Sequence, residues 1–98
     1  MYYILAGADV VVPVDVTTWA RWFEVFDHRR VAVDQSADGA VHVSTVFMGL
    51  DHNFGADGPP ILWETLVFGG PLDGQGARYA SHQAALDGHR DWCARALA

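Results

Sequence analysis

The stretch Val41–Gly70, VHVSTVFMGLDHNFGADGPPILWETLVFGG, decides the fold. Side chains in a strand change face at every residue. In Val41–Met48 this sets Val41, Val43, Thr45 and Phe47 against His42, Ser44, Val46 and Met48. In Ile61–Phe68 it sets Ile61, Trp63, Thr65 and Val67 against Leu62, Glu64, Leu66 and Phe68. Both faces of the second strand are apolar, so a cover is expected over each, as for a central strand or one under a subunit interface. Pro59 and Pro60 hold the chain extended ahead of it without an N–H to donate, and Gly69, Gly70 and Pro71 end it. The simplest arrangement is an antiparallel pair, with the loop Gly49–Pro60 standing out at one end.

Upstream, Arg30–Gln35 alternates Val31 and Val33 against Ala32 and Asp34, and Ser36–Gly39 has turn chemistry, which predicts a hairpin onto Val41–Met48. Before it, Trp19, Trp22, Phe23 and Phe26 recur at i, i+3, i+4 and i+7, the stripe of a helix lying on the sheet. Asp15 or Thr17 is positioned to cap its start, and His28, Arg29 and Arg30 suit its C-terminal end, where the backbone dipole favours cations. Tyr2–Leu5 and Val10–Val14 are short extended runs, fitting an N-terminal hairpin or an edge strand.

Downstream, Pro71–Gly76 is a glycine-rich polar run without periodicity, expected to be a mobile connection. Ser81 can then cap a helix to about Ala96 whose buried side carries Ala85, Leu86, His89, Trp92, Cys93, Ala96 and Leu97. Gly88 inside it points to the close approach of another backbone, such as a strand. The expectation is one α+β domain over residues 1–98: an antiparallel meander of three to four strands with two helices packed on it, in the order (β)αβββα.

Twelve carboxylates against six Arg and no Lys give a formal charge of −6, which disfavours nucleic acid and anionic membranes as direct partners. Cys93 is the only cysteine, so no intramolecular disulfide forms and a reducing cytoplasm is the default. The opening MYYILAGADVVVPV is apolar but lacks a basic start and soon reaches Asp9 and Pro13, so neither a signal peptide nor a membrane span is expected. Four Trp, five Phe and three Tyr exceed what so small a core readily holds, and some are expected at a surface that meets a partner.

The polar residues with the most chemical potential are Asp51, His52, Asn53 and Phe54 in the loop, Glu64 in the last strand, and His89 and Cys93 on the final helix. Glu64 lies among Leu62, Leu66 and Phe68, and a desolvated carboxylate there needs a partner, His89 or an arginine. His89 and Cys93 are one helical turn apart and can ligate one metal, completed by Asp51 or His52. No paired CxxC, HExxH, P-loop or strand-linked GxGxxG accompanies them, so no metal or cofactor is expected and no catalytic residue is assigned. The loop is read instead as a recognition element formed by Asp51, His52, Asn53 and Phe54.

The segments TWARWFE (Thr18–Glu24), VSTVFMGLDHNFG (Val43–Gly55), GPPILWETLVFGGPLDG (Gly58–Gly74) and RYASHQAALDGH (Arg78–His89) together resemble a family of small proteins of tailed bacteriophages and prophages. The likeness spans most of the chain beyond Pro13; Ala80 and His82 depart from it, since bulkier residues are common there. The family has no assigned activity, so the resemblance implies no catalytic residues. It implies an accessory protein in the cytoplasm of a bacterial host. Binding is the expected mode of action, to a second copy as a dimer or to a host protein, with inhibition of a bacterial defence system as a specific version. The alternative is a small metal-dependent or acid–base hydrolase using Glu64, His89 and the Asp51–His52 loop.

Overall fold

The computed structural model describes residues 1–7, 9–53 and 57–97. Among these the chain is α+β, with two antiparallel sheets and three helices. Strands β1 (Tyr2–Leu5) and β2 (Val11–Val14) form a separate N-terminal hairpin. Helices α1 (Val16–Phe23) and α2 (Phe26–Arg29) follow. Next comes a four-stranded meander of β3 (Arg30–Gln35), β4 (His42–Phe47), β5 (Trp63–Phe68) and β6 (Gly76–Tyr79), paired in that order. Helix α3 (His82–Ala96) closes the chain. No helix among the described residues is long and apolar enough to cross a membrane.

The α+β class with an antiparallel meander is as expected, while the order is ββααββββα with three helices in place of (β)αβββα with two, and three local features account for the difference. The Trp19–Phe26 stripe is not one helix: α1 stops at Phe23, and Phe26 begins a separate turn with its ring 44% exposed. None of the α1 residues is buried, and the helix rests chiefly beside β1, with Trp19 Nε1 donating to Met48 O at 3.1 Å. Trp22 alone reaches the core, meeting Phe47 edge-on with centroids 5.6 Å apart. The Pro71–Gly76 connection is a tight hydrogen-bonded turn, with Gly74 N donating to Val67 O and Gly69 N to Asp73 Oδ1, and it tucks Leu72 against the core. That turn folds the chain back into β6, a strand too short and too rich in small and charged residues to show a period of two.

Helix caps fall where the side-chain chemistry places them. Asp15 Oδ1 accepts from Thr18 N at 2.7 Å, and Ser81 Oγ accepts from Ala84 N at 3.1 Å. Each satisfies one of the free N–H groups at a helix start.

One face of the meander is buried under α3, and its register makes three rungs. Phe47 lies opposite Trp63, Thr45 opposite Thr65, and Val43 opposite Val67. Ala85, His89 and Trp92, on one side of α3, are its buried residues. Ala85 joins the Phe47–Trp63 cluster and Trp92 the Val43–Val67 cluster. The middle rung is polar. Gly88 faces the Tyr79 ring of β6, so the close neighbour is a side chain where the sequence suggested a backbone.

Alanine is about 1 kcal/mol better than glycine inside a helix, but a methyl at Gly88 would overlap the Tyr79 ring, and overpacking costs about 1–3 kcal/mol. Gly88→Ala is expected to lower the melting temperature, and adding Tyr79→Ala to relieve the clash. A rise in melting temperature for Gly88→Ala alone, followed by circular dichroism, would show that Tyr79 does not lie against α3.

Candidate functional site

The most developed polar constellation is built on the middle rung. Thr45 and Thr65 are fully buried, and their hydroxyls lie 2.5 Å apart. Thr45 Oγ1 is also 2.7 Å from His89 Nδ1, and the opposite ring nitrogen, Nε2, is 2.7 Å from Asp34 Oδ2 on β3. The Tyr79 hydroxyl donates to Thr65 Oγ1 at 3.0 Å. One proton assignment satisfies every member of this chain. Tyr79 donates to Thr65, Thr65 to Thr45, Thr45 to His89 Nδ1, and His89 Nε2–H to the Asp34 carboxylate. The chain runs from the core to solvent, since the His89 side chain is 6% exposed and that of Asp34 59%.

Cys93 sits one turn beyond His89, and its thiol donates to Asp34 Oδ2 at 3.8 Å. Burial pushes the Cys93 thiol up from its ordinary value, and the neighbouring Asp34 carboxylate adds to the effect. A thiol held protonated is a poor nucleophile. Thr45 resembles the nucleophile of a hydroxyl–imidazole–carboxylate triad, yet it is fully buried, and no substrate atom can reach it.

Glu64 takes the arginine of its two expected partners. Its Oε2 accepts from Arg78 Nε on β6 at 2.9 Å. Glu64 and His89 lie on opposite faces of the sheet, because Glu64 neighbours Thr65, whose side chain points toward the helix, and strand side chains alternate. The acid–base couple of Glu64 and His89 is therefore not assembled. Three depressions on the described surface are lined by none of His52, Glu64 and His89.

The loop residues are organised locally. Asp51 Oδ1 accepts from Asn53 N at 2.7 Å and from Ile61 N at 2.9 Å, tying the start of the loop to its end. His52 Nδ1 lies 2.8 Å from Leu50 O, and the Asn53 side-chain amide donates to Pro59 O at 3.1 Å. Phe54, the fourth expected recognition residue, lies outside the described residues. Asp51 is thus a clamp for the chain entering β5, and neither Asp51 nor His52 joins the cluster of Asp34, His89 and Cys93.

Asp34, Thr45, Thr65 and Tyr79 were not singled out by sequence. The available signal was the pair of threonines at matching places in two otherwise apolar strand faces, together with a histidine on an apolar helix face. Three polar residues turned into one core need one another.

Among the described residues no helix packs across the other face of the meander. Val33, His42, Ser44, Val46, Glu64, Leu66 and Phe68 point to it, with Val33 44% and Phe68 51% exposed. A depression at its edge is lined by Phe26, Arg30, Val33, His42, Ser44 and Phe68. The expected cover over both faces of β5 is thus present over one. A scan against protein-family models, a search of curated proteins and a search of solved structures each found no match to this chain.

Thr45→Val keeps the side-chain shape but leaves His89 Nδ1 without its partner. A loss of about 1–3 kcal/mol is expected in chemical denaturation, with Thr45→Ser much milder. Equal stability of Thr45→Val and the parent would remove the buried chain. The two backbone N–H groups, from Asn53 first and Ile61 second, hold the Asp51 carboxyl below its ordinary 3.8. A folded value below the unfolded one means that the clamp contributes fully above the unfolded value and is lost as pH falls through the folded one. The Asn53 and Ile61 amide resonances are expected to shift together with a midpoint below 3.8. Titration at the ordinary value would show that Asp51 does not clamp the loop.

Proposed function

We propose that this is a non-enzymatic phage accessory protein that acts by protein binding, and that its immediate partner is a second copy of itself, docked through the helix-free face of the meander. The observation that carries the proposal is an apolar sheet face without a cover, with Val46 and Leu66 at its centre and Val33 and Phe68 exposed around them.

Charge favours a like partner on this face. The chain carries −6 overall, yet Glu64 is the only carboxylate that β3–β6 direct to this side, and Arg78 pairs with it. Two acidic copies can approach here with less repulsion than elsewhere. Size sets a requirement. Four strands about 4.8 Å apart and at most about 20 Å long offer a plan area of roughly 400 Å² before side-chain relief is counted, below the about 600 Å² per partner of the smallest specific interfaces, so the contact has to extend over edge residues such as Phe26. Face-to-face packing of two sheets by a twofold axis gives an isologous, closed dimer.

Light scattering at tens of micromolar is expected to give twice the 10.7 kDa chain mass. Phe68→Arg places an unpaired charge on the face without disturbing the buried side and is expected to weaken association by about 100-fold or more, the scale of an interface hot spot. A 10.7 kDa mass for the parent at that concentration would overturn self-association. A dimer indifferent to Phe68→Arg and Val33→Arg would place the interface elsewhere.

A further inference from the structure

We infer that Asp34, His89 and Cys93 form a zinc-binding site that pins α3 to the edge strand β3. Asp34 Oδ2, His89 Nε2 and Cys93 Sγ, one ligand atom from each residue, all lie within 4.8 Å of one another. Two of the separations are 2.7 Å, from nitrogen to oxygen, and 3.8 Å, from sulfur to oxygen. Zinc bonds of about 2.0–2.1 Å to nitrogen or oxygen and about 2.3 Å to sulfur place tetrahedral ligand atoms roughly 3.2–3.6 Å apart. A rotation of the exposed Asp34 carboxylate by a fraction of an ångström opens the first gap and closes the second.

The donor set is that of a borderline-soft cation: one imidazole, one thiolate and one carboxylate. Oxygen-preferring magnesium and calcium are poorly served by it. Three protein ligands leave a fourth position to water, on the side where Asp34 is exposed.

A second observation points the same way. Metal-binding histidines generally have the other ring nitrogen held by a hydrogen-bonding partner, which fixes the ring and its tautomer. His89 has this arrangement already: its ring is buried and its Nδ1 lies 2.7 Å from Thr45 Oγ1. When Nε2 binds zinc, Nδ1 carries the proton and donates to Thr45, whose hydroxyl turns to donate to Thr65. The Thr45 hydroxyl works in either direction, so both ring nitrogens of His89 are satisfied in the free and in the zinc-bound state. Zinc takes the place of the proton on Cys93, which is released to solvent, and of the hydrogen bond between His89 and Asp34.

The test uses tag-free, reduced, full-length protein titrated with Co²⁺ and then with Zn²⁺. One equivalent of Co²⁺ is expected to produce a thiolate-to-cobalt charge-transfer band and the visible bands of tetrahedral cobalt, both bleached by one equivalent of Zn²⁺. Cys93→Ser is expected to abolish the charge-transfer band, and Asp34→Asn to weaken binding at least 10-fold. Thr45→Val is expected to weaken it about 10–100-fold with the band retained, as for loss of a partner that orients a metal-bound histidine. Because Thr45→Val is also expected to lower stability, its titration is made where circular dichroism shows it folded. Absence of a charge-transfer band in the parent, or one-to-one binding unchanged by both Cys93→Ser and Asp34→Asn, overturns the site.

Discussion

The fold depends on a polar rung set inside an apolar core. Thr45 and Thr65 face each other in the middle of the two central strands, with an aromatic rung on one side and a valine rung on the other. Hydroxyls removed from water cost free energy unless they are paired, and nothing apolar in α3 could pair them. His89 does, which fixes both the rotation of α3 about its axis and its position along the strands. A slide of one helical turn would put Ala85 or Trp92 over the threonines and leave a buried imidazole over hydrocarbon. The apolar contacts supply most of the driving force, while the hydrogen bonds select one docking geometry among several that would bury similar area.

The same rung divides the sheet into unlike halves. On the helix side, alternation delivers Val43, Thr45, Phe47, Trp63, Thr65 and Val67 to a fully enclosed layer. On the other side it delivers valine, leucine and phenylalanine with a glutamate already neutralised by its neighbour Arg78. The acidic surplus of the chain is excluded from that second face. A surface that is apolar, locally neutral and backed by a rigid sheet is well suited to hold a partner without reorganising.

The strands of the meander were legible because two-residue periodicity survives wherever one face is covered, as in His42–Phe47 and Trp63–Phe68. Ser81 was legible as a cap, and Asp15 as one of two candidates with Thr17, because capping chemistry is local. The break after Phe23 was not, since a stripe of four aromatic residues at helical spacing says nothing of where hydrogen bonding stops. Strand β6 was hidden by Gly76 and Ala77, which carry too little side chain to mark a face. At the candidate site, His89 and Cys93 were visible as a pair on one helix face, whereas Asp34 lies 55 residues from His89 and is brought to it only by the register of β3 on β4. Separations of that length leave no local trace. Glu64 announced a need for a partner, and the choice between His89 and an arginine was made by the unseen strand that supplies Arg78.

Among the described residues the N-terminal hairpin is hydrogen-bonded to itself and, together with α1, joins the rest through a few polar links. These are Tyr3 N to Gly49 O, a single bridge between Tyr2 and Leu50, and the indole of Trp19 on Met48 O. Gly49 must be glycine at this seam, because its φ is +69° and a side chain would collide with Tyr3 O and Trp19. Tyr3, Leu5, Val11 and Trp22 pack against the cluster of Phe47, Leu62, Trp63 and Ala85, so β1, β2 and α1 are tied to one end of the core. None of those four is fully buried, whereas β4, β5 and α3 carry most of the buried residues, so amide exchange is expected to be slowest in β4, β5 and α3 and faster in the hairpin. Opening of the hairpin and α1 would uncover the Phe47–Trp63 end of the core, so the periphery of the fold and its aromatic rung are coupled.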